Sequence, residues 1–290
     1  MDKIQGIYAA CLTVFNHDLT LNHKKTIHHA DFLIDNGCHG VVLLGSTGQS
    51  QLISISEKIK LIMALPKSKN FNKFIIGTGL NSLLDTINFI KICRSINLKY
   101  FLIMPPAYYS YKDINVINFY NKIIESVSDC KIILYNYEKL CGYKFSLKCV
   151  AELKKKFPDQ IVGVKDSTYN IYKKYKNKDL SIFVGSEEKL LTGLKTGSHG
   201  VISATCNVTS KMSRKVYDDF FKNKNQTVYS KLCKVRRVFN KFNLISGLHT
   251  YMCKKDPIYK NVLPIIDLLP KNQEKKLFDE LKKLDFNIDY

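Results

Sequence analysis

Residues 161–167 read Ile-Val-Gly-Val-Lys-Asp-Ser, a short apolar run that ends in polar side chains. The run has the length and the β-branched content of a buried strand. Similar runs recur along the chain, and each is followed by a stretch with the apolar spacing of an amphipathic helix. Eight such strand–helix units predict an α/β fold, a closed (β/α)8 barrel of the TIM type. A doubly wound parallel sheet is the alternative.

The predicted strands lie at residues 7–14, 40–44, 74–76, 100–104, 132–135, 161–164, 181–184 and 201–203. The predicted helices lie at 22–36, from a start at Ser56-Glu57, at 83–95, 114–127, 147–157, as a short polar helix after the sixth strand, and at 189–195 and 211–220. A chain of 290 residues suits one barrel with an appendage. We expect a barrel over residues 1–222 and a helical extension, packed on it, over residues 223–290.

The charge, the apolar runs and the cysteine pattern of the chain indicate its cellular compartment and the partners that it can bind. The net charge is +20, but the basic residues are mostly Lys and are spread over the whole chain. This distribution favours a solvated coat over a nucleic-acid interface. No apolar run reaches the roughly 18 residues of a membrane span, and the N-terminus lacks a signal-peptide pattern. The nine cysteines are scattered without C-x-x-C spacing, which predicts reduced thiols in a cytoplasmic protein and no metal site.

Lys165 stands at the end of the sixth predicted strand. In barrels of this kind the chemistry lies at the carboxyl ends of the strands. Among apolar side chains the lysine ammonium loses hydration, so its pKa should fall and the amine should become a nucleophile toward carbonyl groups. A lysine that extends to solvent from a strand end is the alternative interpretation.

Two further strand ends carry candidate binding groups. Ser46 and Thr47 lie in a turn flanked by Gly45 and Gly48. Converging backbone N–H groups and hydroxyls in such a turn can hold a carboxylate or phosphate, although an ordinary turn with capping hydroxyls is the alternative. Tyr135 ends the fifth predicted strand, where a tyrosine usually packs as an aromatic side chain. It becomes a functional candidate only if its hydroxyl faces Lys165.

Taken together, these motifs resemble the dihydrodipicolinate synthase / N-acetylneuraminate lyase family. The order and the spacing are similar over roughly residues 4–220, and the last 70 residues are less similar. The motifs are Gly-Ser-Thr-Gly at 45–48, Pro-x-Tyr-Tyr at 106–109, Tyr-Asn at 135–136, Gly-Val-Lys-Asp-Ser at 163–167 and Gly-Val-Ile-Ser at 200–203. The resemblance implies a class I aldolase that needs no cofactor other than the imine formed with its substrate.

The resemblance also implies roles for individual residues. Lys165 is expected to form the Schiff base with a 2-oxo acid, pyruvate, and Tyr135 to relay protons beside it. Ser46 and Thr47 are expected to bind the pyruvate carboxylate. Tyr109 resembles the tyrosine that family members insert into a neighbouring subunit's site, which implies a homodimer or homotetramer. Further expected substrate contacts are Gly45, Ser167, Gly185 and Ile202, with Glu187 and Glu188 binding a sugar's hydroxyls.

Three positions depart from the family pattern and bear on the substrate. Gln49 replaces a glutamate, Glu138 a proline, and Leu140 the arginine that the synthases place five residues after the tyrosine. The lyases of the family share the leucine at position 140 and the serine at position 46. We therefore expect an aldolase or lyase that combines pyruvate with an aldehyde, of the N-acetylneuraminate or 2-keto-3-deoxy sugar-acid type. The alternatives are a dihydrodipicolinate synthase and a barrel that binds a 2-oxo acid or nucleic acid without catalysis.

Overall fold

The computed structural model describes residues 4–288 and 290, and their eight strands form a closed parallel barrel. The strands are β1 Gly6–Ala10, β2 Gly40–Leu43, β3 Phe74–Gly77, β4 Tyr100–Ile103, β5 Lys131–Asn136, β6 Ile161–Asp166, β7 Ser181–Val184 and β8 Gly200–Ser203. Each pairs with its sequence neighbours, and β1 pairs with β8 from Gly6↔Gly200 to Ala9↔Ser203. This closure confirms the predicted (β/α)8 barrel and excludes the doubly wound sheet.

The helices surround the barrel and continue beyond it. They are α1 His23–Asp35, α2 Ile55–Ala64, α3 Leu83–Ser95, α4 Asp113–Ser126, α5 Glu138–Cys141, α6 Leu147–Lys156, α7 Leu190–Lys195, α8 Cys206–Phe221, α9 Tyr229–Asn240, α10 Leu244–Cys253 and α11 Lys271–Lys283. The helix predicted from about Ser56 begins at Ile55, and its capping residue is Ser54, whose hydroxyl accepts a hydrogen bond from the N–H of Glu57. In the described part of the chain, no helix combines the length and the apolar character that a membrane span requires.

The segment after β6 is not a helix, so the predicted short polar helix is wrong. The carboxylate of Asp166 accepts hydrogen bonds from the backbone N–H groups of Tyr169, Ile171 and Tyr172 at 2.8, 2.8 and 2.9 Å. These donors are therefore committed to a side chain instead of to helical carbonyl groups. The segment folds against the end of β6 and reaches the barrel mouth.

The apolar residues form an inner layer, an outer layer and a C-terminal cluster. The inner layer fills the barrel with the side chains of Tyr8, Ala10, Val42, Ile75, Leu102, Ile133, Tyr135, Phe183 and Ile202. The outer layer packs the strands against the surrounding helices. The C-terminal cluster joins Leu12 and Val14, after β1, to Phe239, Leu248 and Leu277 of the last helices. The division at residue 222 stays a prediction.

Candidate active site

A cavity of about 270 Å³ lies at the carboxyl ends of the strands. It brings together seven of the residues proposed from the sequence, which are Ser46, Thr47, Tyr135, Lys165, Ser167, Gly185 and Ile202. These residues lie on or after β2, β5, β6, β7 and β8. The fold thus converts motifs more than 150 positions apart into one surface, as barrels of this type do at this end.

Lys165 is the second-to-last residue of β6 and is only 5% exposed. Its register partner on β5 is Tyr135, and its Nζ lies 4.2 Å from the centroid of the tyrosine ring. Burial lowers the pKa of the Lys165 amine to about 7, and the positive charge of Arg236 contributes in the same direction. A large fraction of the amine is therefore neutral near neutral pH, which is the form that attacks a carbonyl carbon.

The hydroxyl of Tyr135, in contrast to the Lys165 amine, keeps its proton near neutral pH. The side chain is buried in the inner layer, and burial raises the pKa of its phenol to about 12. The phenol therefore stays protonated near neutral pH and can donate a proton or a hydrogen bond to a group held beside Lys165.

The turn after β2 presents the Ser46 hydroxyl to the cavity, close to the Tyr135 phenol. Ser46 begins a 3-10 turn, and among the described residues its buried Oγ has no hydrogen-bond partner. Gly48 is required there, because a Cβ would lie 2.8 Å from Thr13 Oγ1 and 2.9 Å from the carbonyl oxygen of Cys11. Gln49 then adopts φ 58°, and its Oε1 accepts a hydrogen bond from the N–H of Leu263 at 2.9 Å. The unpaired Ser46 hydroxyl is suited to a substrate carboxylate.

Glu187 and Glu188 do not line this cavity, in contrast to the sequence-based prediction. Glu187 is fully buried, and its carboxylate accepts hydrogen bonds from Ser203 Oγ at 2.7 Å and Thr205 Oγ1 at 2.6 Å. It also forms an ion pair with Arg236 at 3.1 Å. Burial alone would raise the pKa of the Glu187 carboxyl, but these partners outweigh it and the pKa is lowered. Both oxygens are thus already engaged.

The remaining predicted residues do not line the cavity. Glu188 forms an ion pair with Arg237 at 2.7 Å. Gly45 lies behind the turn, where its carbonyl oxygen accepts from the N–H of Gly48 at 3.0 Å. Tyr109 is 74% exposed and does not contribute to the cavity of its own chain. Its insertion into a neighbouring subunit stays a prediction.

The structure adds residues that the sequence reasoning missed, and Arg236 on α9 is the most polar of them. Tyr137, Tyr169, Ala204, Asn243, Leu244 and Ile245 complete the lining, with Leu140 of α5. A signal for Arg236 was present, because it lies four positions after Leu232 and three before Phe239, both fully buried. That spacing places the arginine on the buried face of the helix.

Across residues 4–288 and 290 no group of three or more His, Cys, Asp or Glu side chains is arranged to hold a metal ion. All nine cysteines are free thiols, and eight of them are buried.

Residues 3–277 match the model of the dihydrodipicolinate synthetase family. Among curated proteins, the chain is 28% identical over 295 residues to 4-hydroxy-tetrahydrodipicolinate synthase of Karelsulcia muelleri, covering 98% of this chain and 99% of that protein.

Two solved structures show the same fold. A prophage protein of the dihydrodipicolinic acid synthase family from E. coli K12, in complex with pyruvate, superposes with a TM-score of 0.87 at 20% identity, covering 98% of this chain and 99% of that one. A variant of 2-keto-3-deoxygluconate aldolase from Sulfolobus solfataricus superposes with a TM-score of 0.84 at 22% identity, covering 97% and 96%.

Proposed function

The chain belongs to the dihydrodipicolinate synthetase family, which makes it a lyase, and we propose that it joins or separates pyruvate and an aldehyde through an imine on Lys165. The observation that carries the proposal is the cavity in which Lys165, Tyr135 and the unpaired Ser46 hydroxyl meet. A 2-oxo acid has a ketone and a carboxylate on adjacent carbons. One group can thus meet the amine while the other meets the turn after β2.

The reaction follows from these groups. The neutral amine of Lys165 attacks the ketone carbon, and loss of water gives an iminium ion that withdraws electrons from the neighbouring carbons. In the cleavage direction the C3–C4 bond breaks, its electrons form an enamine, and the C4 hydroxyl loses its proton as the aldehyde is released. Tyr135 relays that proton. Protonation of the enamine at C3 and hydrolysis by water then release pyruvate and restore the amine.

For the second substrate we propose an aldehyde from a 2-keto-3-deoxy sugar acid or a sialic-acid-like compound. Leu140 lines the cavity and offers no charge where the synthases of this family place an arginine. Glu187 and Glu188 give no support to this choice, since both are engaged elsewhere. The second candidate is the synthase reaction with aspartate semialdehyde, which the name of the Karelsulcia relative favours.

Reduction of the imine tests the proposal. The protein is incubated with pyruvate and borohydride, digested, and analysed by mass spectrometry. The expected result is a stable adduct on Lys165 that is absent from Lys165→Met and from incubations with lactate, which has no ketone. Lys58 provides an internal control, since it is also buried, with a pKa lowered by burial to about 8, but it donates to the carbonyl oxygens of Thr78 and Gly79. An adduct on Lys58 alone, or none on Lys165, contradicts the proposal.

A further inference from the structure

Tyr169 has a backbone conformation that is unfavourable for a large side chain. Its φ is 63°, in the left-handed region that residues other than glycine seldom adopt. The side chain nevertheless lines the same cavity as Lys165 and is 36% exposed. Such strain persists only where neighbouring groups enforce it, and it is concentrated at binding sites and active sites. Strain at the cavity wall therefore indicates a binding role for this side chain.

The segment that carries Tyr169 is fixed by hydrogen bonds on both sides of the residue. The N–H of Tyr169 donates to Asp166 Oδ1 at 2.8 Å, and the Oγ1 of Thr168 accepts from the N–H of Glu138 at 3.0 Å. The next residue, Asn170, donates from Nδ2 to the carbonyl oxygen of Phe145 at 2.9 Å. These bonds hold the left-handed conformation and direct the side chain to the cavity.

The aromatic ring of Tyr169 is also held in place. The ring of Tyr172 contacts it edge-on, with centroids 6.2 Å apart, and Nζ of Lys189 lies 5.9 Å from its centroid. Burial raises the pKa of the Tyr169 phenol to about 12, although Arg236 and a hydrogen bond with Ser186 oppose the rise. The phenol therefore stays protonated near neutral pH. A phenol oxygen that accepts from a serine hydroxyl still has its own O–H to donate.

Tyr169 occupies the part of the wall where the sequence predicted two carboxylates. Residues 186–188 follow β7, but none of them lines the cavity, whereas Gly185 and Tyr169 do. Gly185 permits this arrangement, because a Cβ there would lie 2.3 Å from Ser167 Oγ in the segment that carries Tyr169. A phenol can donate to a neutral hydroxyl group, as the carboxylates were expected to accept from one.

We propose that Tyr169 determines specificity by donating a hydrogen bond from its phenol to a hydroxyl group on the aldehyde partner. The inference rests on the proposed function, since it assigns a contact of the second substrate in the same site. An aldehyde that lacks this hydroxyl leaves the phenol proton without a partner, which is how a site of this kind rejects a deoxygenated analogue.

The experiment compares aldehydes of equal carbon number that differ in their hydroxyl groups. Condensation with pyruvate is measured for propanal, 2-hydroxypropanal and glyceraldehyde, which carry no, one and two hydroxyl groups. The wild-type protein is expected to show a higher kcat/KM for one or both hydroxylated aldehydes than for propanal. Tyr169→Phe removes only the phenol oxygen. It should lower kcat/KM for the preferred aldehyde by about three- to tenfold and leave the value for propanal unchanged.

Three further variants separate binding from folding. Tyr169→Gly removes the whole side chain at a φ that glycine adopts readily, so it should lose the preference without a large change in melting temperature. Leu19→Gly is the backbone control, since Leu19 has φ 66° and lies outside the cavity. Tyr175→Phe is the hydroxyl control, because the Tyr175 hydroxyl donates to Asp179 Oδ1 at 3.0 Å outside the cavity. Both controls should keep the wild-type preference.

The outcomes distinguish this inference from the proposed function. Trapping of pyruvate on Lys165 should be unchanged in Tyr169→Phe, which also shows that the barrel is folded. A loss confined to hydroxylated aldehydes supports the inference. An equal loss for all three aldehydes, an unchanged preference in Tyr169→Phe, or a wild-type protein that does not prefer hydroxylated aldehydes overturns it. Failure of pyruvate trapping in the wild-type protein would instead remove the proposed function, and the inference with it.

Discussion

Tyr135 and Lys165 are register partners on β5 and β6, with Lys165 Nζ 4.2 Å from the centroid of the tyrosine ring. Register partners on neighbouring strands project to the same side of a sheet, so both side chains enter the barrel mouth. The aromatic ring covers the amine and excludes water from it, which is part of the burial that lowers the lysine pKa. One bound molecule can thus contact an amine that is easily deprotonated and a phenol that keeps its proton.

The first prediction concerns the pH dependence of imine formation. Only the neutral amine attacks pyruvate, and the pKa of Lys165 is lowered from 10.5 to about 7. The trapping rate at low pyruvate should therefore rise about tenfold for each pH unit below 7 and level off above it. Stopped reactions over pH 5 to 9, quantified by mass spectrometry, provide the measurement. A rate that keeps rising to pH 10 would show an amine of ordinary pKa.

The second prediction concerns Tyr135. The Tyr135→Phe variant keeps the ring over Lys165 but removes the hydroxyl, whose pKa is raised to about 12 by burial. We expect kcat to fall by about 10²- to 10⁴-fold, the usual contribution of one general acid or base. Thermal unfolding should change little, because the ring still fills the inner layer. Full turnover by Tyr135→Phe would assign the proton transfer to another group.

The third prediction is that Lys165 destabilises the fold. Its folded pKa of about 7 lies below its ordinary value of 10.5, so the unfolded chain binds a proton that the folded chain releases between these pH values. The penalty is full below pH 7 and disappears as the pH rises toward 10.5. Lys165→Met should thus be more stable at pH 7, by at most about 5 kcal/mol. Urea unfolding at pH 7 and pH 9.5 should show the gain shrinking at the higher pH.

The fourth prediction concerns Leu140. Aspartate semialdehyde carries a carboxylate, and Leu140 offers it no charge-assisted hydrogen bond at the cavity wall. We expect the wild-type protein to condense it with pyruvate at a kcat/KM below about 10⁴ M⁻¹s⁻¹. Leu140→Arg, at a position that is 42% exposed at the cavity wall, should raise this value about tenfold or more. Efficient condensation by the wild-type protein would favour the synthase alternative.

The fifth prediction concerns assembly. Tyr108 and Tyr109 are 90% and 74% exposed, and their rings contact each other at a centroid distance of 5.1 Å. We expect a homodimer or homotetramer in which Tyr109 approaches the neighbour's Tyr135. Light scattering at micromolar concentration measures the mass of the assembly. The Tyr109→Ala variant should lose activity severalfold while its pyruvate trapping is unchanged. A fully active monomer would show that each cavity functions alone.

The alternation of apolar runs and amphipathic stretches was sufficient to predict the barrel, since strands and helices have different periods of side-chain burial. The position of Lys165 at the barrel mouth was also predictable, because the residue ends an apolar run and the strand ends of such a fold meet there. The absent helix after β6 was not predictable from periodicity. It depends on the Asp166 carboxylate capturing three backbone N–H groups, a local competition that spacing does not reveal.

The sequence by itself determined the barrel and the residues at its strand ends, because both follow from the chemistry of short contiguous segments. Only the tertiary structure decided which charges face the cavity. Glu187 follows β7 as a binding residue would, yet it is fully buried in an ion pair with Arg236 from a helix 49 positions later. A buried charge is costly without a partner, and opposite charges attract strongly in a medium of low dielectric constant, so Glu187 and Arg236 pair where the fold brings them into contact. Sequence spacing does not encode that contact, because it depends on three-dimensional packing.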